Sequence, residues 1–175
     1  MISICPITPH EWLKYRDIRL QALQDSPDAF GSTWEAEATR TNENWSTRIA
    51  VAAAGDTDLP LFALNSNEVC GLVWCKLSTL EPGTADIFQM WVAPTVRGQG
   101  VGRALLKQAL AWAKSRGMQR VRLGVTAAES PAMRLYRSHG FYSTGQTEQL
   151  REDSDLVAQT MELKLDSPTQ SENKS

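Results

Sequence analysis

Residues 90–102 read Met90-Trp91-Val92-Ala93-Pro94-Thr95-Val96-Arg97-Gly98-Gln99-Gly100-Val101-Gly102, an apolar strand end, a proline and a turn with three glycines in five positions. Pro94 ends the strand, and a helix is expected from about 102 to 116, where Leu105, Ala109 and Trp112 share one face beside Leu106, Leu110 and Ala113. Gly117 stops it. A glycine-rich turn between a strand and a helix is where backbone N–H groups and the helix dipole receive a phosphate, because side chains there would hold the phosphate oxygens away. A tight turn that binds nothing accounts for three glycines less well. A dinucleotide fingerprint needs GxGxxG and an acidic residue about 20 positions on, but the spacing here is GxGxG and the next strand reads VRLGV. A P-loop needs Gly-Lys and then Ser or Thr, whereas Arg103 and Ala104 follow Gly102.

Upstream, the runs LPLFALN and EVCGLVWCKL around the turn Ser66-Asn67 read as a hairpin, and a third strand is expected over 86–92. The chain opens with a short strand at 2–5. A helix to about residue 24 follows, with Thr8 as cap, Pro9 at its first position and Glu11 closing a capping box. The segment FGSTWEAEATRTNENWSTR reads as one or two short helices. Downstream come a strand at 119–126, a helix capped by Ser130 and opened by Pro131 that ends at Gly140, and two strands at 141–144 and 156–165. Strand, helix, strand implies one parallel pair joined by a crossover. The expected fold is α/β of the α+β type: a mixed, mostly antiparallel sheet flanked by helices. One domain should span 1–165, and the polar 166–175 has too few apolar residues to pack and is expected to be disordered.

The chain has 175 residues, the size of one domain, and its net charge of −2 offers no basic surplus for a nucleic-acid backbone. The N-terminus lacks the basic start and apolar run of a signal peptide, and no stretch nears the roughly 18 apolar residues of a membrane span. A cytoplasmic protein without a membrane partner is expected. Cys5, Cys70 and Cys75 form no CxxC pair and have no histidine at metal-ligand spacing, so no metal site is expected. Cys70 and Cys75 read as small buried hydrophobes.

Arg97-Gly98-Gln99-Gly100-Val101-Gly102 resembles the phosphate-binding signature of the GNAT superfamily of N-acetyltransferases: Gln or Arg, two residues, Gly, one residue, then Gly or Ala. SPAMRLYRSHGF is similar to the family's later helix, with Leu135, Tyr136, Gly140 and Phe141 in place. The resemblance covers about 86–144. It implies acetyl-CoA as co-substrate and a splayed parallel strand pair that admits the pantetheine arm. By resemblance, backbone groups of Met90, Trp91 and Val92 pair with pantetheine, and amides of Gln99 to Gly102 hold the pyrophosphate, with Gly98 in the same loop. Arg97, Arg103 and Arg137 are candidates to add charge to the phosphates.

Tyr136 occupies the family position that meets the departing sulfur. A thiol pKa near 8.5 against a phenol near 10 makes full proton transfer uphill by roughly 2 kcal/mol, which favours hydrogen bonding during departure. An alkylamine is protonated all but about one part in 2,500 at pH 7, and removing that proton costs roughly 4–5 kcal/mol. Many relatives carry a glutamate in the strand before the second helix, where this chain has Leu123-Gly124-Val125. Asp86 resembles an alternative family position for the base, acting through water, and competes with a plain solvated carboxylate. Glu129 replaces an asparagine that contacts the cofactor in many relatives and is a second base candidate.

Family acceptor pockets use the first two helices, which points to Phe30, Trp34 and Glu37. An aromatic wall beside carboxylates suits a cationic amine; the competing picture is an amphipathic helix with the aromatics in the core and the glutamates in water. The expected function is acetyl transfer from acetyl-CoA to a primary amine of a small molecule or a peptide. The alternative is a CoA-binding sensor without turnover. Relatives often dimerise through sheet edges, so a homodimer is a further expectation from the resemblance.

Overall fold

Ser66 and Asn67 both adopt positive φ, 50° and 75°, the two-residue turn that matches the twist of paired strands. It joins β2 (Asp58–Asn65) to β3 (Glu68–Leu77), and β1 (Ile2–Pro6) pairs with the outer edge of β2. In the computed structural model, which describes residues 1–165, the remaining strands are β4 (Thr84–Val92), β5 (Arg120–Thr126), β6 (Tyr142–Gln149) and β7 (Val157–Lys164). The polar segment 166–175 lies outside the described residues. The sheet order is β1-β2-β3-β4-β5-β7-β6, with β4–β5 the one parallel pair. This is the mixed, mostly antiparallel sheet that the motif order implies.

The helices are α1 (Trp12–Asp25), α2 (Trp34–Ala38), α3 (Asn42–Ala54), α4 (Val101–Ser115) and α5 (Pro131–Ser138). The box at Thr8 forms as read, its backbone N–H donating to Glu11 Oε1 at 3.0 Å, but it caps a single 3₁₀ turn that leads into α1. Tyr15 of α1 packs against Trp45 of α3 and Trp74 of β3, each with ring centroids 5.7 Å apart. The opposite face of β3 receives α4 at Gly71, where a Cβ would stand 2.9 Å from the Trp91 carbonyl and 3.3 Å from Leu105 Cδ1. Only glycine permits that approach. The amphipathic stripe read from α4 holds: Leu105, Leu106, Ala109 and Ala113 are buried.

Two elements are longer than expected. α3 runs on to Ala54. β6 continues to Gln149, and every residue of YSTGQTEQ is exposed, so no alternation of apolar and polar positions marks it. Among the described residues no helix is long and apolar enough to cross a membrane.

Candidate active site

The parallel ladder between β4 and β5 runs from Thr84–Arg120 to Ile87–Leu123 and stops there. β4 continues to Val92, while β5 stays paired to β7 as far as Thr126–Ala158. The strands part because β4 carries a bulge: between Leu72–Trp91 and Trp74–Phe88, three steps of β4 face two of β3. An extra residue bends its strand. Gln89 sits in the bulge at φ 61°, and Tyr15 Oη donates to its Oε1 at 2.8 Å, tying the bend to α1. Beyond Ile87 the side of β4 that faces β5, over Met90–Val92, has no strand partner among the described residues, and a Cβ on Gly124 would meet nothing within 4 Å. A cleft of about 1570 Å³ occupies this gap. That exceeds the roughly 300–1,000 Å³ of a site for one small ligand and leaves room for two reactants.

One end of the cleft is the glycine turn. Gly98 and Gly100 adopt φ 80° and 82°, and a Cβ on either would meet no protein atom within 4 Å. A side chain there would be strained by about 1–2 kcal/mol and would project into the space before the helix. Gly100 is the N-cap of α4 and no side chain caps the first turn, so its amides are free to meet an anion. Gly98, Gly100, Val101, Gly102 and Arg103 line the cleft; Gln99 is exposed outside it. Gly102 has a packing role as well, since a Cβ would lie 3.2 Å from Leu135 Cδ2. Arg97 lines the cleft as well, with two of its nitrogens engaged by protein. Its Nη2 donates to Asp25 Oδ2 at 2.6 Å and its Nε to the Val92 carbonyl at 3.0 Å. Asp25 also accepts from Trp91 Nε1 at 3.0 Å and Ser26 Oγ at 2.7 Å, so this carboxylate fastens the end of α1 to the end of β4. Those bonds, Ser26 first and then Trp91, hold Asp25 below its ordinary pKa.

Tyr136 is 5 % exposed, lines the cleft and packs on Phe141. Burial pushes its phenol well above its usual value, which keeps it a neutral donor and makes full proton transfer harder still. Asp86 sits on β4 between Lys76 of β3 and Arg122 of β5 and is not in the cleft lining. Its burial raises its pKa, Glu81 adds to the rise, and Arg122 and Lys76 oppose it. Glu129 lies outside the cleft lining as well, its exposed carboxylate accepting from Arg137 Nη1. That pairing also occupies Arg137. Cys75 lies outside the cleft, and its burial pushes the thiol up to about 12, so it supplies no thiolate. Among the described residues no three His, Cys, Asp or Glu gather as metal ligands.

At the other end stand Phe30 and Glu37, both buried and both lining the cleft. Trp34, the first residue of α2, is 37 % exposed and does not line the cleft. The expected aromatic pair is therefore split. The expected free carboxylate is absent too, since Glu37 Oε2 accepts from Arg40 Nε at 3.0 Å and Arg48 Nη1 at 3.2 Å. The loop bearing Phe30 is fixed from across the molecule: Arg151 Nη1 donates to the carbonyls of Pro27 and Phe30, and Thr126 Oγ1 to that of Asp28. Tyr15, Arg19, Asp25 and Arg48 all line the cleft and were not anticipated. Tyr15 and Arg19, four apart on one buried helix face, were the available signal.

Comparison with known proteins matches this geometry. Residues 19–141 match the Acetyltransferase (GNAT) family. The chain is 35% identical over 119 residues to streptothricin acetyltransferase of Streptomyces lavendulae, covering 68% of this chain and 56% of that protein. It is 29% identical over 141 residues to mycothiol acetyltransferase of Acidothermus cellulolyticus, covering 73% and 40%. The chain thus spans about half the length of the curated relatives it matches. A GNAT acetyltransferase structure from Streptococcus pneumoniae superposes with a TM-score of 0.79 at 20% identity, covering 94% of this chain and all of that one. The structure of yncA from Salmonella typhimurium, solved with its cofactor acetyl-CoA, gives 0.79 at 20% identity over 95% of each chain. With the family match spanning well over half its length, the chain belongs to the GNAT acetyltransferase family.

Proposed function

We propose that this protein is an acetyl-CoA-dependent N-acetyltransferase that moves acetyl to a primary amine of a small molecule or peptide, with both substrates held in one cleft. The observation that carries this reading is the end of the β4–β5 ladder at Ile87–Leu123, beyond which one cavity joins the uncapped start of α4 to Tyr136 and Phe30. Acetyl-CoA supplies an acyl group activated as a thioester. The residues present fit it: free amides at Gly100 to Gly102 with Arg103 beside them suit a diphosphate, and the open edge of Met90–Val92 suits an amide-bearing arm. Arg97 contributes by holding β4 against α1, and Gln99 by its backbone amide.

An N–H of that edge aimed at a developing oxyanion lowers the barrier by a few kcal/mol. Tyr136, neutral and poor in hydration, donates a hydrogen bond to the departing sulfur. Asp86 is the proposed base; its raised proton affinity suits the task, and its position outside the lining requires a water between it and the amine. Direct attack is favoured because no cysteine lines the cleft to form an acyl-enzyme. The reading includes a cytosolic location and a homodimer along the exposed β6 edge; light scattering that returns a monomer removes the dimer.

The test is thiol release from acetyl-CoA against a panel of amines, with Tyr136→Phe alongside. Amine-dependent release with intersecting initial-velocity lines, and a slower rate in the variant, is the expected outcome. Release that ignores the amine, or a variant as fast as the parent, contradicts it.

A further inference from the structure

Arg19 stands one turn after Tyr15 on the inner face of α1, 3 % exposed, in the wall of the cleft. Its Nε and Nη1 are buried without a hydrogen-bond partner among the described residues, and its guanidinium lies 4.7 Å from the centre of the Phe30 ring. A buried arginine normally has its donors filled, so one left open beside a cavity points to an absent acceptor.

The neighbouring charges do not supply it. Glu37 is the nearby carboxylate, and it is already shared by Arg40 and Arg48. Three guanidinium groups against one carboxylate leave a surplus of two positive charges on this wall. The other acids of the cleft are engaged or remote: Asp25 with Arg97, Asp58 with Trp74 Nε1 at 2.8 Å, Asp28 at 4.0 Å from Arg151, and Glu148 on the exposed strand β6. Lys76 lines the same cleft but is flanked by Asp58 on β2 and Asp86 on β4, so the surplus is confined to the wall of Arg19, Arg40 and Arg48. A cationic amine such as a polyamine would meet repulsion here.

We propose that the acceptor is an amine that also carries a carboxylate, an amino acid or a close analogue, and that Arg19 receives the carboxylate with Arg48 in support. The planar guanidinium matches a carboxylate in a two-point pair, and the Phe30 ring packs against it. Anchoring the carboxylate fixes the adjoining amine within the cleft. The inference rests on the acetyl-transfer function proposed above and narrows its acceptor.

The experiment uses matched pairs that differ only in the carboxylate: alanine and ethylamine, leucine and 3-methylbutylamine, phenylalanine and phenethylamine. Binding of each to the CoA-saturated protein is measured by calorimetry, and thiol release from acetyl-CoA is measured separately. The acid of at least one pair should bind about 10–100-fold more tightly than its amine, the range for a charge-assisted hydrogen bond. Arg19→Gln should remove that advantage while leaving acetyl-CoA affinity unchanged, and Arg19→Lys should restore part of it. Should Arg19→Gln fail to fold, Arg48→Gln provides the second variant and should weaken the acids severalfold. Equal binding of acids and amines in every pair, or an Arg19→Gln effect that falls equally on both members, overturns the proposal. The two readings fail separately: thiol release with amines alone retains the transferase and removes the carboxylate site. Acids that bind through Arg19 without any thiol release retain the site and remove the transferase.

Discussion

The two ends of the cleft are built from different materials. The proposed phosphate end is backbone: Gly98 and Gly100 at positive φ, an uncapped helix start and an unpaired strand edge. The proposed acceptor end is side chains, with Tyr15, Arg19, Phe30, Glu37 and Arg48 drawn from three helices and a loop between two of them. Backbone sites tolerate change in the groups around them but not in the glycines that shape them. Side-chain sites respond the other way, and each substitution there alters which acceptor is held. The contrast predicts that substitutions at the first end act on acetyl-CoA and those at the second act on the amine.

The largest effect is expected at Gly100. Gly100→Val places a branched side chain at φ 82° and in the space before α4, and should weaken acetyl-CoA binding by about 10²–10³-fold. Amine affinity should be spared, and a variant that loses both equally would break the division. Tyr136→Phe should lower kcat by about 10²-fold with little change in either KM, the signature of a contact made only as the sulfur departs.

Asp86→Asn should slow the reaction by about 10–100-fold at pH 7, with the loss shrinking as pH rises and the amine deprotonates unaided. Its stability effect has the opposite sense. A carboxylate whose folded pKa is raised contributes stability below its unfolded pKa of about 3.9, and that contribution is lost as pH rises through the folded value. The Asn variant should therefore melt no lower than the parent at pH 7; a slower variant that also melts lower would mark Asp86 as structural.

Asp25 behaves in reverse. Its folded pKa is depressed, so its stabilisation is present above about pH 3.9 and is lost as pH falls through the folded value. Asp25→Asn should cost about 1–2 kcal/mol at neutral pH, a melting shift of roughly 3–6 °C, and the gap should close in acid. The smallest effect is expected at Trp34, exposed and outside the cleft, where Trp34→Ala should change kcat/KM for either substrate by less than about twofold.

The same division explains what the chain disclosed before folding. The phosphate end is contiguous, and its requirements fall on residue types: glycine where φ is positive, proline where a strand stops, leucine and alanine at helical spacing. The fold followed from those local signals and their order. The bulge that opens the cleft gave no notice, because Gln89 adopts φ 61° without being glycine and is held there by Tyr15, 74 positions away. The acceptor end was less legible for a related reason. Phe30, Trp34 and Glu37 are close in sequence, but Trp34 stays outside the cleft lining, and Arg40 and Arg48 occupy the carboxylate expected to receive an amine. Charge balance in a cleft is a sum over distant residues, and neighbours in the chain do not determine it.

Calorimetric titration of acetyl-CoA into the parent protein and into Gly100→Val tests the central claim most directly, since it asks whether the glycine turn and the open strand edge form a cofactor site. Stoichiometric binding by the parent that is lost or greatly weakened in the variant, with both proteins folded, is the predicted result. No binding by the parent, or equal binding by the two, would contradict it.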